Sequence, residues 1–318
     1  MRKILYLNVG TDEGYSLMRQ CMPPGYTLVT LSTPEKTEIL EKIRDVEIVI
    51  VGALVLTGEL IGAASSLRLV HHQGVGYQDT VDTNALFHRA IPLAIMPAGT
   101  TAVAEHTVLL ILATLRRLCF ADSELRAGRW RTSALRPVSR SLAQRTVGYL
   151  GMGRIGQAVA GRLKSFDTLG IYFSHTRLKP EREIELKLQW VSFLDLLSQS
   201  DIVTLHLPAT PGTRHLIGAN EIATMKPGGF LINTSRGSLV DETALFNALA
   251  NGHLAGAGLD VFDAEPPTQS PLLTLPNVTV TPHIAAGTRD TLTEKMDAIF
   301  ANIEGYFRGE GLAHRINL

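Results

Sequence analysis

The chain has 318 residues, enough for about two domains that each bury a core. Hydrophobic residues make up 45% and charged residues 19%, the balance of an ordinary globular protein and not of a disordered one. Thirty basic and thirty acidic side chains leave a formal net charge of +0, so no global field points to nucleic acid or to an acidic membrane.

The N-terminus, Met1-Arg2-Lys3, leads into an apolar run that is broken by Asn8 and then by Asp12-Glu13, so it reads as a strand and not as a signal peptide. No apolar run reaches the roughly 18 residues of a membrane-spanning helix. The two cysteines, Cys21 and Cys119, are too few for a disulfide framework and lack metal-ligand spacing. A reducing, cytoplasmic setting and no metal are expected.

In the first hundred residues, segments 4–9, 27–31, 46–51, 67–71 and 92–96 read as strands. Between them, 34–44 reads as a helix, with Thr33 as its cap before Pro34. His71 and His72 end a strand and point to opposite faces, which argues against a shared metal. Residues 100–118 predict a long helix that is apolar nearly all round, hence buried between domains or subunits. His106 falls within it and is read as structural. Residues 126–144 are arginine-rich, contain Pro137 and read as a connecting loop; without interleaved aromatics they are a solvated face and not a nucleic-acid groove.

A second series of βα units starts at Arg145, with strands at 145–150, 169–173, 201–207, 229–234, 255–260 and 277–281. Helices are expected near 155–166, 192–199, 219–225 and 241–250, and again from about 289 to 307. Strands alternating with helices predict an α/β protein with two doubly wound parallel-sheet domains. The expected division is 1–99 plus 289–318 and 100–288. Asp167 stands at a helix end where glycine is common.

The most informative stretch is Gly151-Met-Gly153-Arg154-Ile155-Gly156, a GxGxxG sequence between a predicted strand and a predicted helix. The first glycine permits the tight turn and the second lets a pyrophosphate approach the backbone. The third allows close helix–strand packing, and the helix N-terminus presents free N–H groups to the phosphates. A dinucleotide is therefore expected. In an NAD-binding unit, an acid at the end of the second strand holds the adenosine ribose. Here that position is Ser174, followed by His175, Thr176 and Arg177, with no Asp or Glu. Such side chains can donate to a 2′-phosphate that an acid would repel, so NADP(H) is favoured, with NAD(H) as the alternative.

Three further segments sit at predicted strand ends, where doubly wound folds place ligands: 233–237 with Arg236, 259–267 with Glu265, and 281–287 with His283. One reaction accounts for all three. The planar fork of Arg236 suits the carboxylate of a small 2-oxo acid. His283 suits proton donation to the ketone oxygen, since an unperturbed imidazole titrates near ~6.5. Glu265 would orient that imidazole and stabilise its protonated form.

At this point the chain resembles the D-isomer-specific 2-hydroxyacid dehydrogenases over nearly its whole length. The match runs through Gly74-Val75-Gly76-Tyr77, Ala104-Glu105-His106-Thr107, Gly151–Gly156, His206-Leu207-Pro208 with Thr213, and Thr234-Ser235-Arg236-Gly237. It continues through Gly258-Leu259-Asp260, Glu265-Pro266 and Pro282-His283-Ile284. The resemblance implies a Rossmann dinucleotide-binding domain inserted in a flavodoxin-like substrate domain, with Arg236, Glu265 and His283 as the catalytic trio. It implies that Gly74, Val75 and Gly76 hold the substrate carboxylate. Asp260 would position the nicotinamide carboxamide, and Arg154, Ile155, His206, Pro208, Thr213, Thr234 and Ser235 would line the cofactor. It also implies a homodimer built around the region after Thr100, and closure about the two crossing segments.

The missing acid resembles NADP-using glyoxylate and hydroxypyruvate reductases of the family. Phosphoglycerate dehydrogenase ranks lower because its typical acidic ribose ligand is missing and no additional regulatory region follows. Phosphite oxidation and a dinucleotide-sensing, corepressor-like binding protein are the remaining alternatives.

Overall fold

The computed structural model describes all residues, Met1–Leu318. Its strands are β1 (Arg2–Val9), β2 (Tyr26–Leu31), β3 (Ile48–Val51), β4 (Leu69–His72), β5 (Leu93–Ile95), β6 (Thr146–Leu150), β7 (Leu169–Phe173), β8 (Leu188–Trp190), β9 (Ile202–Leu205), β10 (Gly229–Asn233), β11 (Leu254–Leu259), β12 (Val278–Val280) and β13 (Arg315–Ile316). The chain forms two compact units, Met1–Gly99 with Thr288–Leu318, and Thr100–Gly287.

The first unit carries a six-stranded sheet in the order β13-β5-β4-β3-β1-β2. Its five parallel strands follow the flavodoxin-like winding 2-1-3-4-5. β13 pairs antiparallel with β5 at that edge, a two-residue strand too short to show any period in the sequence. Both faces are covered, and the period of two along each strand divides the apolar residues between them. Leu5, Leu7, Val49 and Val51 enter one core cluster, while Ile4, Tyr6, Ile48 and Ile50 enter the other. Helix Arg289–Arg308 closes this second face with Met296, Ile299, Phe300 and Ile303, spaced to fall on one side of a 3.6-residue helix. Each such buried side chain contributes about 1.5–3 kcal/mol. Thr288 caps this helix by accepting from the Thr291 N–H, and Gly309 ends it at φ +82°.

Several details of this unit differ from the sequence reading, among them the helices Gly58–Ala63 and Thr83–His88, which it did not include. Thr33 does not cap a helix; its hydroxyl donates to Glu38 at 2.7 Å, and the helix spans Lys36–Lys42. Helix Asp12–Cys21, capped by Thr11, was not singled out, because its apolar positions are few. His71 is fully buried, with Nδ1 donating to the His72 carbonyl and Nε2 accepting from Asn302. Burial pushes its pKa down to about 4.

That burial has a pH consequence. Above about 6.5 the imidazole is neutral in both folded and unfolded chains and contributes nothing. Below it the unfolded chain takes up a proton that the folded one refuses until about pH 4. Stability therefore falls as pH drops through this window, by up to roughly 1.4 kcal/mol per pH unit. Urea midpoints followed by circular dichroism from pH 7 to 5 are expected to fall, and to fall less steeply in His71→Asn.

The second unit carries a seven-stranded parallel sheet in the order β12-β11-β10-β9-β6-β7-β8. Counted from β6, this is the 3-2-1-4-5-6 Rossmann winding with one further strand. Helix Thr100–Leu115 is apolar nearly all round, with exposed Thr101 and Glu105 as exceptions, and Ala104, Leu110, Ile111 and Leu115 join the core with Tyr149, Val159 and Ile232. Gly258 permits the approach, since a Cβ there would lie 2.8 Å from the Thr114 hydroxyl. The helix ends at Leu115 and not at 118, because Arg117 adopts φ +54°; a second helix, Leu118–Arg126, follows. Asp167 takes the left-handed conformation at φ +57°, which glycine more often supplies and which Asp tolerates. β8 and helix Pro180–Leu186 lie outside the sequence reading. No helix is long and apolar enough to cross a membrane.

Candidate active site

The glycine loop behaves as its spacing suggested. Gly151 has φ +94°, and a Cβ on it would lie 2.5 Å from the His206 carbonyl oxygen, so only glycine fits this turn. A Cβ on Gly156 would lie 2.5 Å from the Gly151 carbonyl oxygen, which is the close helix–strand contact. A Cβ on Gly153 would meet nothing within 4 Å. That open face borders the N-terminus of helix Arg154–Leu163, whose N-cap is Gly153 and which has no side-chain cap. The first-turn N–H groups are thus left for an anion. The loop therefore fits a dinucleotide pyrophosphate on geometry alone. Arg154 is exposed on the first turn, and Ile155 packs on the core behind it.

Around this loop, His206 follows β9 with Nε2 bonded to Thr204 at 3.1 Å. Burial pushes its pKa down to about 3, so it is neutral. Thr213 folds the next turn by donating to the Pro208 carbonyl and accepting from the Thr210 N–H, each at 2.8 Å. At the end of β7, Ser174 is half-buried while His175 and Arg177 are exposed.

The three catalytic candidates come together at the ends of β10, β11 and β12. Arg236 follows β10, where the Asn233 side chain grips its carbonyl at 2.8 Å and Ser235 donates to the Leu205 carbonyl at 2.7 Å. Thr234, buried, shares a 2.8 Å hydroxyl bond with Thr107 of helix Thr100–Leu115. Glu265 Oε2 lies 2.8 Å from His283 Nδ1, while Oε1 accepts from the Phe262 N–H at 3.1 Å. Partial burial raises the Glu265 pKa, but the bond and charge of His283, the Phe262 amide and the charge of Arg236 outweigh it, and the net shift is downward. Glu265 is thus an ionised acceptor, Nδ1 of His283 carries the hydrogen, and Nε2 is the nitrogen left to exchange a proton.

Asp260 holds this histidine in place. It is fully buried, and its carboxylate accepts from the Thr281 hydroxyl at 2.6 Å, the Ile284 N–H at 2.9 Å and the Ala285 N–H at 2.8 Å. Its carbonyl accepts from the His283 N–H at 2.7 Å, and His283 itself stands at φ +52°. His106 completes the cluster by bonding Thr281 through Nε2 at 3.0 Å. No cluster of three or more His, Cys, Asp or Glu side chains could hold a metal ion.

A family profile for the NAD-binding domain of D-isomer-specific 2-hydroxyacid dehydrogenases matches residues 108–285, more than half of the chain. The chain belongs to this family. The dehydrogenase is 39% identical to a glyoxylate reductase from Thermococcus litoralis over 87% of its own length and 85% of the relative's. It is 36% identical to a D-3-phosphoglycerate dehydrogenase from Mycobacterium leprae over 90% of its own length, but spans only 54% of that protein. A glyoxylate reductase structure from Paecilomyes thermophila superimposes with a TM-score of 0.83 at 30% identity, covering 99% of this chain and 98% of the other. The dehydrogenase is thus an oxidoreductase with a nicotinamide-dinucleotide-binding domain.

Gly74, Val75 and Gly76 lie in the dehydrogenase's first unit, just after β4. The Gly74 N–H donates to His72 Nδ1 at 3.0 Å, its carbonyl accepts from the Met96 N–H at 3.2 Å, and Val75 is exposed. The sequence reading missed the support given by Thr107, Thr281 and His72. These side chains act through hydrogen bonds to distant or neighbouring segments and leave no local pattern.

Proposed function

We propose that this dehydrogenase reduces a small 2-oxo acid, such as glyoxylate or hydroxypyruvate, to the D-2-hydroxy acid, with NADP(H) preferred and NAD(H) accepted. The observation that carries the reading is the His283–Glu265 pair beside Arg236, in the same unit as a glycine loop open at Gly153. Bound nicotinamide supplies the hydride for reduction and accepts it for oxidation. Arg236 holds the substrate carboxylate and carbonyl oxygen through its fork. His283 gives the proton from Nε2 to that oxygen as negative charge builds on it, and Glu265 steadies the imidazolium before transfer.

The family assignments of Gly74, Val75 and Gly76 to the substrate carboxylate belong to this proposal. So do those of Arg154, Ile155, His206, Pro208, Thr213, Thr234, Ser235 and Asp260 to the cofactor. Ser174, His175 and Arg177 are proposed to face the adenosine 2′ position, which no carboxylate occupies at residue 174.

A homodimer is part of the same reading. It is supported by an apolar surface in the second unit, where Leu109, Leu118, Leu125 and Trp130 are exposed. Leu109 and Leu118 also line, with Leu112, Ala113 and Leu135, a groove of ≈ 600 Å³. A cytoplasmic setting is supported by Cys21 and Cys119, both free thiols.

The test is steady-state oxidation of NADPH and NADH in parallel against glyoxylate, hydroxypyruvate, pyruvate and phenylpyruvate. Turnover of a small oxo acid with a higher kcat/KM for NADPH is expected. Dinucleotide binding without turnover of any of them would replace this reading with that of a sensor.

A further inference from the structure

β7 ends without an acid at Ser174, yet a carboxylate still reaches this strand end from elsewhere. Glu183, on helix Pro180–Leu186, is only 9% exposed. Its Oε1 accepts from the hydroxyl of Tyr172, a fully buried β7 residue, at 2.6 Å. The same hydroxyl accepts from the Leu178 N–H at 2.8 Å, so the turn after the strand is tied to Glu183 through Tyr172. Arg177 then closes on the carboxylate with a two-pronged grip, Nε to Oε1 at 2.8 Å and an Nη to Oε2 at 3.0 Å. Arg177 is otherwise exposed, with its guanidinium 5.9 Å from the centre of the Trp190 ring.

An isolated surface ion pair is weak, but this one is bidentate and its acid is anchored from behind by a buried phenol. Two consequences follow for a ligand arriving at Arg177. Its Nε edge is already used, so only the opposite edge is available. Its positive charge is also largely offset by an ionised neighbour, since the Arg177 bonds and then the Tyr172 bond draw the Glu183 pKa down to about 2. Nearby Arg182 adds little, being engaged by Gln157 and Glu185.

We infer that Glu183 sets the balance between NADPH and NADH, acting through Arg177 as a displaced substitute for the acid missing from the end of β7. This rests on the reading that residues 174–177 meet the adenosine 2′ position. A 2′-phosphate meets a nearly neutral pair in place of a bare guanidinium, so preference for NADPH is held to a modest level. Glu183 is a positioning residue: it touches Arg177 and not the cofactor.

The test is calorimetric titration of NADP⁺ and NAD⁺ into the full chain, which needs no turnover. Glu183→Gln keeps the side-chain volume and an acceptor for Tyr172 but removes the charge. It is expected to raise the ratio Kd(NAD⁺)/Kd(NADP⁺) about tenfold, the effect of one unbalanced charge on a phosphate at a solvated site. Exposed Arg177→Gln leaves the acid uncovered and is expected to lower the ratio by at least about tenfold, with NAD⁺ affinity nearly constant. In the Arg177→Gln background the Glu183 substitution then raises NADP⁺ affinity only by relieving repulsion. An unchanged or lowered ratio in Glu183→Gln, with Arg177→Gln behaving as expected, overturns the role of Glu183 alone. If neither substitution moves NADP⁺ affinity, the 2′ position is read elsewhere and the assignment of residues 174–177 falls with it. Should Glu183→Gln fail to fold, the Arg177→Gln ratio decides: a fall to clear NAD⁺ preference supports the uncovered acid, and a ratio near one overturns it.

Discussion

His283→Ala is expected to lower kcat for oxo-acid reduction by about 10²–10⁴-fold, the usual contribution of a positioned general acid. Dinucleotide affinity should stay within about twofold, because the glycine loop and the His283 side chain share no hydrogen bond. The fold of the loop should survive, since it is held by groups that the substitution leaves in place. Asp260 still accepts from Thr281, Ile284 and Ala285, and its carbonyl still accepts the residue 283 N–H. Alanine at φ +52° carries a Cβ as histidine does, so the position is strained in both, although histidine is the more common of the two in this conformation. Glu265 loses its 2.8 Å partner, and neighbouring Arg236 cannot donate a proton in place of the imidazole. Steady-state kinetics with a fluorescence titration of the dinucleotide separate the two effects. An unchanged kcat would remove His283 from the reaction.

The parts of the site that were legible in the sequence are those whose cause is local. Three glycines at fixed spacing between a strand and a helix carry their own reason: a positive φ at Gly151, an open face at Gly153 and a tight contact at Gly156. Arg236, Glu265 and His283 were legible because each follows a strand, and parallel strands bring their ends to one edge. The winding of both sheets was accessible as alternation of strand and helix, although the exact order required the structure. Elements too short to hold a period escaped, including β13, β8 and helix Pro180–Leu186. That omission mattered, because Glu183 sits on the missed helix. The absence of an acid at residue 174 was correct as a statement about sequence, but the charge at that strand end depends on a side chain nine residues further on. Likewise the break at Arg117 has no glycine or proline to announce it.

Gly237→Ala is expected to reduce kcat/KM by at least about 10²-fold, although no atom of Gly237 is a candidate for chemistry. A Cβ at this position would fall on the carbonyl of Phe262, so the clash is with backbone that cannot rotate aside. Gly237 directly follows Arg236, and the Phe262 N–H is the donor that steadies Glu265 Oε1 at 3.1 Å. The contact between these two backbones is therefore what sets the spacing between the arginine and the carboxylate–imidazole pair. Arg236 is fixed from the other side by the Asn233 side chain at 2.8 Å, and His283 by the Asp260 carbonyl at 2.7 Å, so a displacement at residue 237 must be taken up at one loop or the other. A shift of about 1 Å at a reacting group costs on the order of 10²-fold in rate, while overpacking itself costs about 1–3 kcal/mol of stability. The folded variant should keep its dinucleotide affinity, with the loss shared between kcat and KM for the oxo acid, and a lowered thermal midpoint. Wild-type kinetics in Gly237→Ala would mean that the two loops are positioned independently, and that the closeness of Arg236 to the Glu265–His283 pair has some other source than this glycine.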